Sequence, residues 1–299
     1  MKNNLRQIAF FGKGGIGKST ISSNVAAAMA EKGLKVMMVG CDPKSDCTRN
    51  LRGDMEIPTI SEVLRTKMQG QLELDEFIYG KEVKMDEVVF PGFKGVLCAE
   101  AGGPEPGVGC AGRGIVVAVD LLKRIGVFEE HKPDAVIYDI LGDIVCGGFG
   151  MNLRKGMADQ AYIVTSADYL AIFAANNILK GIARYVDRGG TPLGGFIYNV
   201  RGVVDDLELV DEFARMAGSR IIGSIPGDRA ITENEIYGQT TIERQPESII
   251  SQKFRDLADK ILENTDAVTP IPLKNEDLAT LAKRIREKAE DSFGMRHEA

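Results

Sequence analysis

The stretch "RQIAFFGKGGIGKST" (6–20) sets the reading of everything after it. It opens with a short, continuously apolar run, the pattern of a strand covered on both faces. It then fits the spacing G-x-x-x-x-G-K-[ST] with Gly12, Gly17, Lys18 and Ser19, and it leads into a helical pattern over 18–32. Glycines at these places let successive backbone N–H groups point at phosphate oxygens. A lysine then reaches the terminal phosphates and a hydroxyl serves Mg²⁺. A glycine-rich turn without a ligand is the bland alternative, but the motif needs a strand before it and a helix after it, and both stand here. The site is therefore expected to use Gly12, Gly14, Gly15, Gly17, Lys18 and Ser19 on phosphate and metal.

Outward from this loop, further apolar runs occur at 34–40, 133–141, 160–166, 194–200 and 219–225. Helical patterns fill the spaces at 114–125, 168–187, 205–217 and 247–264. Strand and helix alternate, so the expected fold is α/β, a doubly wound and mostly parallel sheet. Residues 54–94 read as a partly helical excursion at the carboxyl ends of the strands. No linker or repeat divides the 299 residues, which are expected to form one domain, with 270–299 as a C-terminal helical extension.

The formal net charge is −6, with 37 basic and 43 acidic residues, which argues against non-specific binding to nucleic acid or to an anionic membrane. Nothing approaches the roughly 18 apolar residues of a spanning helix, and no signal-peptide pattern precedes the first strand. A cytoplasmic location is expected. Cys41, Cys47, Cys98, Cys110 and Cys146 include no C-x-x-C pair, which weakens zinc-ribbon and thioredoxin-like readings.

Two acidic positions end strands. Asp42 follows the 34–40 run and Asp139 closes the 133–141 run, so both face the crevice where open α/β sheets bind ligands. Asp139 is expected to hold Mg²⁺ through water and Asp42 to orient the attacking water; capping or surface aspartate is the alternative for each. Cys110 in "GVGCAGRG" (107–114) and Cys146 in "DIVCGGFG" (143–150) stand beside glycine, and Cys110 precedes a helix pattern. Such a setting stabilises thiolates and the sulfurs of an anionic iron–sulfur cluster. One chain offers two such thiols where a [4Fe–4S] cluster needs four, and a two-fold homodimer supplies the count. Buried structural cysteine is the commoner fate of such residues.

The loop's extra lysine, Lys13, makes it the K-G-G-x-G-K-[ST] form, which resembles the deviant Walker A loop of dimeric P-loop ATPases. That resemblance implies that Lys13 reaches the other subunit's nucleotide. Together "GKGGIGKST", "VGCDPKSDCTR", "GGPEPGVGCAGRG", "DILGDIVCGGFG" and "AANNI" are similar to the nitrogenase iron protein family, which includes the reductases of dark chlorophyll biosynthesis and the reductive cyclase component of nickel tetrapyrrole synthesis. The resemblance runs over most of the chain. It implies a homodimeric, ATP-dependent reductase that passes single electrons from one [4Fe–4S] cluster per dimer, on Cys110 and Cys146, to a separate catalytic component. It further implies MgATP bound by Lys13, Lys18, Ser19, Thr20, Asp42, Asp46 and Asp139, with catalytic roles for Lys13, Asp42 and Asp139. Asp143 would relay the nucleotide state, Asn199 would contact adenine, and Arg113 would lie at the docking face. A ferredoxin or flavodoxin is the implied electron donor, with neither nucleic acid nor membrane as a partner.

The chain departs from the usual family pattern at Ser45 and Cys47 in "CDPKSDCTR", at Gly227 in "IPGDRA", in "TSADYLAIFAANN" (165–177) and in a longer 54–94 segment. These differences point toward a nitrogenase-like partner such as the nickel-tetrapyrrole system, with authentic nitrogenase as the alternative. A partition or positioning ATPase gives the glycine-flanked cysteines no role, and iron–sulfur scaffold ATPases carry their cluster on C-x-x-C.

Overall fold

The computed structural model describes residues 5–42, 45–67, 83–103, 114–140, 157–201 and 205–293. The apolar runs become strands β1 (Arg6–Phe11), β2 (Val36–Gly40), β5 (Ala135–Asp139), β6 (Gln160–Thr165), β7 (Leu193–Asn199) and β8 (Ile221–Ile225), with two short additions, β3 (Phe90–Pro91) and β4 (Leu97–Glu100). They form one sheet in the order β3-β4-β2-β5-β1-β6-β7-β8. Every neighbouring pair is parallel except β3 and β4. This is the doubly wound sheet expected from the sequence. The strand at 97–100 was not expected: it is only four residues long and carries a glutamate and a cysteine, too little for a periodic signal.

Helices cover both faces. They are α1 (Lys18–Glu31), α2 (Arg49–Arg52), α3 (Ile60–Lys67), α4 (Gly114–Arg124), α5 (Val127–His131) and α6 (Tyr169–Val186), then α7 (Leu207–Met216), α8 (Arg229–Ile236), α9 (Thr241–Arg244), α10 (Ile249–Glu263) and α11 (Asn275–Phe293). The two-residue period of β1 divides the core. Ile8 and Phe10 join Val25 and Met29 of α1 and Phe254 and Leu257 of α10 on one face. Ala9 and Phe11 face the opposite layer, with Leu122 of α4, Ile172 and Leu179 of α6 and Phe213 of α7. Each fully buried aliphatic or aromatic side chain contributes roughly 1.5–3 kcal/mol relative to exposure, so among the described residues the stabilising burial is concentrated on the two faces of the sheet.

The last helix is tied to the second layer. Leu278, Leu281 and Ile285 are buried in the same cluster as the α6 side chains. Before it, Asn176 of α6 donates to the Leu273 carbonyl at 3.1 Å and accepts from the Leu273 amide at 2.7 Å. Lys288 and Arg284 pair with Asp206 and Glu212 near the start of α7 and within it. Among the described residues, no helix is long and apolar enough to cross a membrane.

Candidate nucleotide site

β1 lies between β5 and β6 at the middle of the sheet, and its carboxyl end opens into the glycine loop. Gly12 and Gly17 show why the spacing matters. Both have positive φ, 157° and 90°. A Cβ on Gly12 would lie 2.6 Å from the Val164 carbonyl oxygen, and one on Gly17 would lie 2.4 Å from the Asn199 amide nitrogen. Any side chain there is strained and crowded. Gly14 and Gly15 instead face open space on the ligand side. Gly17 caps α1 in a left-handed conformation with no side-chain hydrogen bond. The first N–H groups of this 14-residue helix are thus offered at the loop, the arrangement that receives an anion.

Beneath the loop, Lys18 is buried and ion-paired with Asp139, which is wholly buried at the end of β5. Burial pulls the Lys18 ammonium down, but the charge and hydrogen bond of Asp139 more than offset it and hold the lysine above its usual range. Only one Asp139 oxygen is engaged; Oδ2 has no partner. A buried carboxylate oxygen without a partner is costly unless something else is bound there. Together with the open N–H groups, Lys18 and the half-buried Ser19, this donor set fits a nucleotide phosphate chain with its Mg²⁺.

Asp42 stands half-buried just past β2, and its carbonyl accepts from the Ser45 amide at 2.9 Å. Asp46 is exposed, and its carbonyl accepts from the Arg49 amide at 3.2 Å. Lys13 is exposed on the loop. Thr20 donates to Glu235 of α8. Cys110, Arg113, Asp143 and Cys146 lie outside the described residues.

A cavity of about 310 Å³ opens beside the loop, bounded by Gly17, Thr20, Asn199, Arg201, Arg229 and Glu235. That is the lower end of the range for small-molecule sites, about 300–1,000 Å³. Asn199 is buried at the end of β7, and its amide donates to the Ile16 carbonyl at 2.7 Å. Arg201, two residues on, donates to the Gly15 carbonyl at 3.0 Å. Both hold the phosphate loop from the cavity side. The sequence reading missed Arg201 and Glu235. The first had a signal, since it follows a strand end; the second sits within a helix and had none. Gly227, one of the departures from the family pattern, lines the same cavity as Arg201 and Arg229.

The other thiols do not assemble a centre. Cys41, Cys47 and Cys98 are buried, and no group of three His, Cys, Asp or Glu side chains suited to a metal occurs among the described residues. Burial pushes the Cys98 thiol up to about 12 and the Cys47 thiol well above its ordinary value. Both therefore stay protonated and apolar.

Residues 6–288 match the family model of the 4Fe-4S iron sulfur cluster binding proteins, NifH/frxC family. The chain is 52% identical over 284 residues to nitrogenase iron protein 2 of Methanothermococcus thermolithotrophicus, covering 95% of this chain and 97% of that one. It is 51% identical to the nitrogenase iron protein of Methanococcus voltae, covering 95% and 98%. The fold is also that of the septum site-determining protein MinD of Pyrococcus horikoshii, solved with Mg-ADP, at a TM-score of 0.62 and 20% identity over 87% of this chain and 96% of that one. The fold is thus that of a P-loop NTPase of the MinD type, and the protein takes MgATP and a [4Fe–4S] cluster as its cofactors. The chain belongs to the NifH/frxC family of 4Fe-4S iron sulfur cluster binding proteins.

Proposed function

We propose that the protein is the ATP-dependent reductase component of a nitrogenase-type enzyme, working as a homodimer that passes single electrons to a separate catalytic component. The observation that carries this reading is the buried Lys18–Asp139 pair beneath an open helix N-terminus, in a chain of a cluster-binding family. When bound, the cluster supplies a one-electron, low-potential couple and the Mg²⁺ nucleotide supplies charge that differs between its two states. Cys110 and Cys146 from each subunit hold the cluster. Lys18 would hold the phosphates, and Asp139 with the Ser19 hydroxyl would hold Mg²⁺, whose charge would stabilise the phosphate chain. Asp42 orients the attacking water and Asp46 lies on the same loop. Lys13, exposed on its own subunit, reaches the nucleotide of the partner and ties hydrolysis to closure of the dimer. Asn199 lines the base pocket, Asp143 carries the nucleotide state toward the cluster, and Arg113 meets the catalytic component. Residues 1–299 form one ATPase unit, and α11 closes it.

The test is electron delivery. The protein, purified without oxygen and reduced, is mixed with MgATP and a nitrogenase catalytic component. Substrate reduction in step with ATP hydrolysis, lost in Cys110→Ser, is the expected result. A second reading rests on Ser45, Cys47 and Gly227, which depart from the nitrogenase pattern. It expects no turnover with that component and turnover with a tetrapyrrole-reducing one. Steady hydrolysis with neither component would overturn the reductase reading in favour of a switch ATPase.

A further inference from the structure

A carboxylate that the proposed mechanism does not use lies on the floor of the site. Glu100 is the last residue of β4 and is wholly buried. It stands opposite Gly40 across one strand pair, and Gly40 stands opposite Asp139 across the next. Glu100, Gly40 and Asp139 therefore form one row at the carboxyl end of the sheet, below the loop that contains Asp42 and Asp46.

The contacts of Glu100 run to the far end of that loop. Its Oε1 accepts from both the amide and the hydroxyl of Thr48, each at 2.7 Å. The Thr48 hydroxyl in turn accepts from Arg52 Nε at 3.2 Å, and Arg52 Nη2 donates back to the Ser45 carbonyl at 3.1 Å. A chain of hydrogen bonds thus runs from the sheet floor through Thr48 and Arg52 to Ser45. The chain leaves space for this carboxylate. A Cβ on Gly40 would lie 2.0 Å from Glu100 Oε2 and 2.6 Å from the Cys47 Cβ, so only glycine at 40 admits both neighbours. Oε2 itself has no hydrogen-bond partner.

A buried carboxylate with half its acceptors unused is expensive, and an aliphatic residue would pack more cheaply if filling space were the only need. We infer that Glu100 is a positioning residue of the nucleotide site, holding Asp42 and Asp46 in register with the phosphate loop through Thr48, Arg52 and Ser45. The inference rests on the MgATP reading of that site. Glu100 acts through Thr48, by fixing where the loop ends.

The test uses full-length protein. Hydrogen exchange of the peptide spanning 45–52 is followed without nucleotide, and ADP binding is titrated with and without Mg²⁺. Loss of both Thr48 hydrogen bonds to the buried Glu100 carboxyl predicts about a tenfold or greater loss of exchange protection in Glu100→Leu, and a similar loss of MgADP affinity. Binding of ADP without Mg²⁺, which rests on the phosphate loop, changes much less. Glu100→Gln keeps a carbonyl acceptor for Thr48 and recovers most of both effects. Thr48→Val removes the hydroxyl and keeps the amide. It gives an intermediate loss, and it serves if the leucine variant does not fold. Unchanged protection of 45–52 in Glu100→Leu and Thr48→Val would overturn the inference. So would lost protection with undiminished MgADP affinity, since Glu100 would then be a local packing residue only. A wild-type protein that binds no MgADP would sink the nucleotide reading itself, a result separate from either of these.

Discussion

Lys18 and Asp139 show how one pair of residues balances two duties. Each is buried, and each is tolerated there because the other is present. Removing one partner of a buried pair typically costs about 3–5 kcal/mol, because the survivor is left charged and desolvated. Asp139→Asn is therefore expected to lower the stability of the nucleotide-free protein by that order, read from urea unfolding. Glu100 supplies a second expectation. Burial raises its carboxyl from 4.5 to about 7, against the pull of the Thr48 hydrogen bonds. A carboxyl raised in the folded state adds stability below its unfolded value, and that contribution is lost as pH rises through about 7. Compared with Glu100→Gln, the wild type should lose up to about 3 kcal/mol of relative stability between about pH 4.5 and 7.5, followed as the difference in melting behaviour of the two proteins. A difference that stays flat across this range would show that Glu100 does not titrate there. At this scale the phosphate loop was legible because its chemistry resides in spacing, from Gly12 to Thr20. Glu100 and Glu235 were not, because each acquires its role only when distant segments are brought together, and Arg201 offered only its place just past a strand end.

Elements carry the next level of constraint. The strand-loop-helix of β1 and α1 works as a unit, since Gly17 ends the loop, caps the helix and abuts Asn199 at the end of β7. Gly17→Ala places a Cβ against the Asn199 amide in a backbone conformation that L-residues rarely adopt. Its expected effect is loss of nucleotide affinity by about tenfold or more with the protein still folded, checked by ADP titration beside circular dichroism. The long strands and helices were readable because they alternate buried apolar runs with helical periodicity. Short elements escaped: β3 and β4 lie within and just beyond a segment read as helical excursion, and α2, α8 and α9 span too few residues to show a period. Their positions follow from the sheet edge and the cavity rather than from their own residues.

The described residues place the nucleotide machinery at one edge of a single sheet, with core on both faces and α11 packed onto the second layer. Leu281 in that helix is 1% exposed. Leu281→Ala is expected to cost about 2–5 kcal/mol, measured by denaturant unfolding. A loss below about 0.5 kcal/mol would mean that the helix contributes nothing to the core. Composition and strand order alone place the nucleotide crevice at the carboxyl ends of the strands. In the proposed reductase that crevice is coupled to a cluster shared across the dimer axis. Iron and sulfide are determined per dimer of oxygen-free protein, with EPR of the reduced form recorded before and after MgATP. About four irons per dimer, lost in Cys110→Ser, with a spectrum changed by MgATP, are predicted. An iron-free dimer that still hydrolyses ATP would contradict the account.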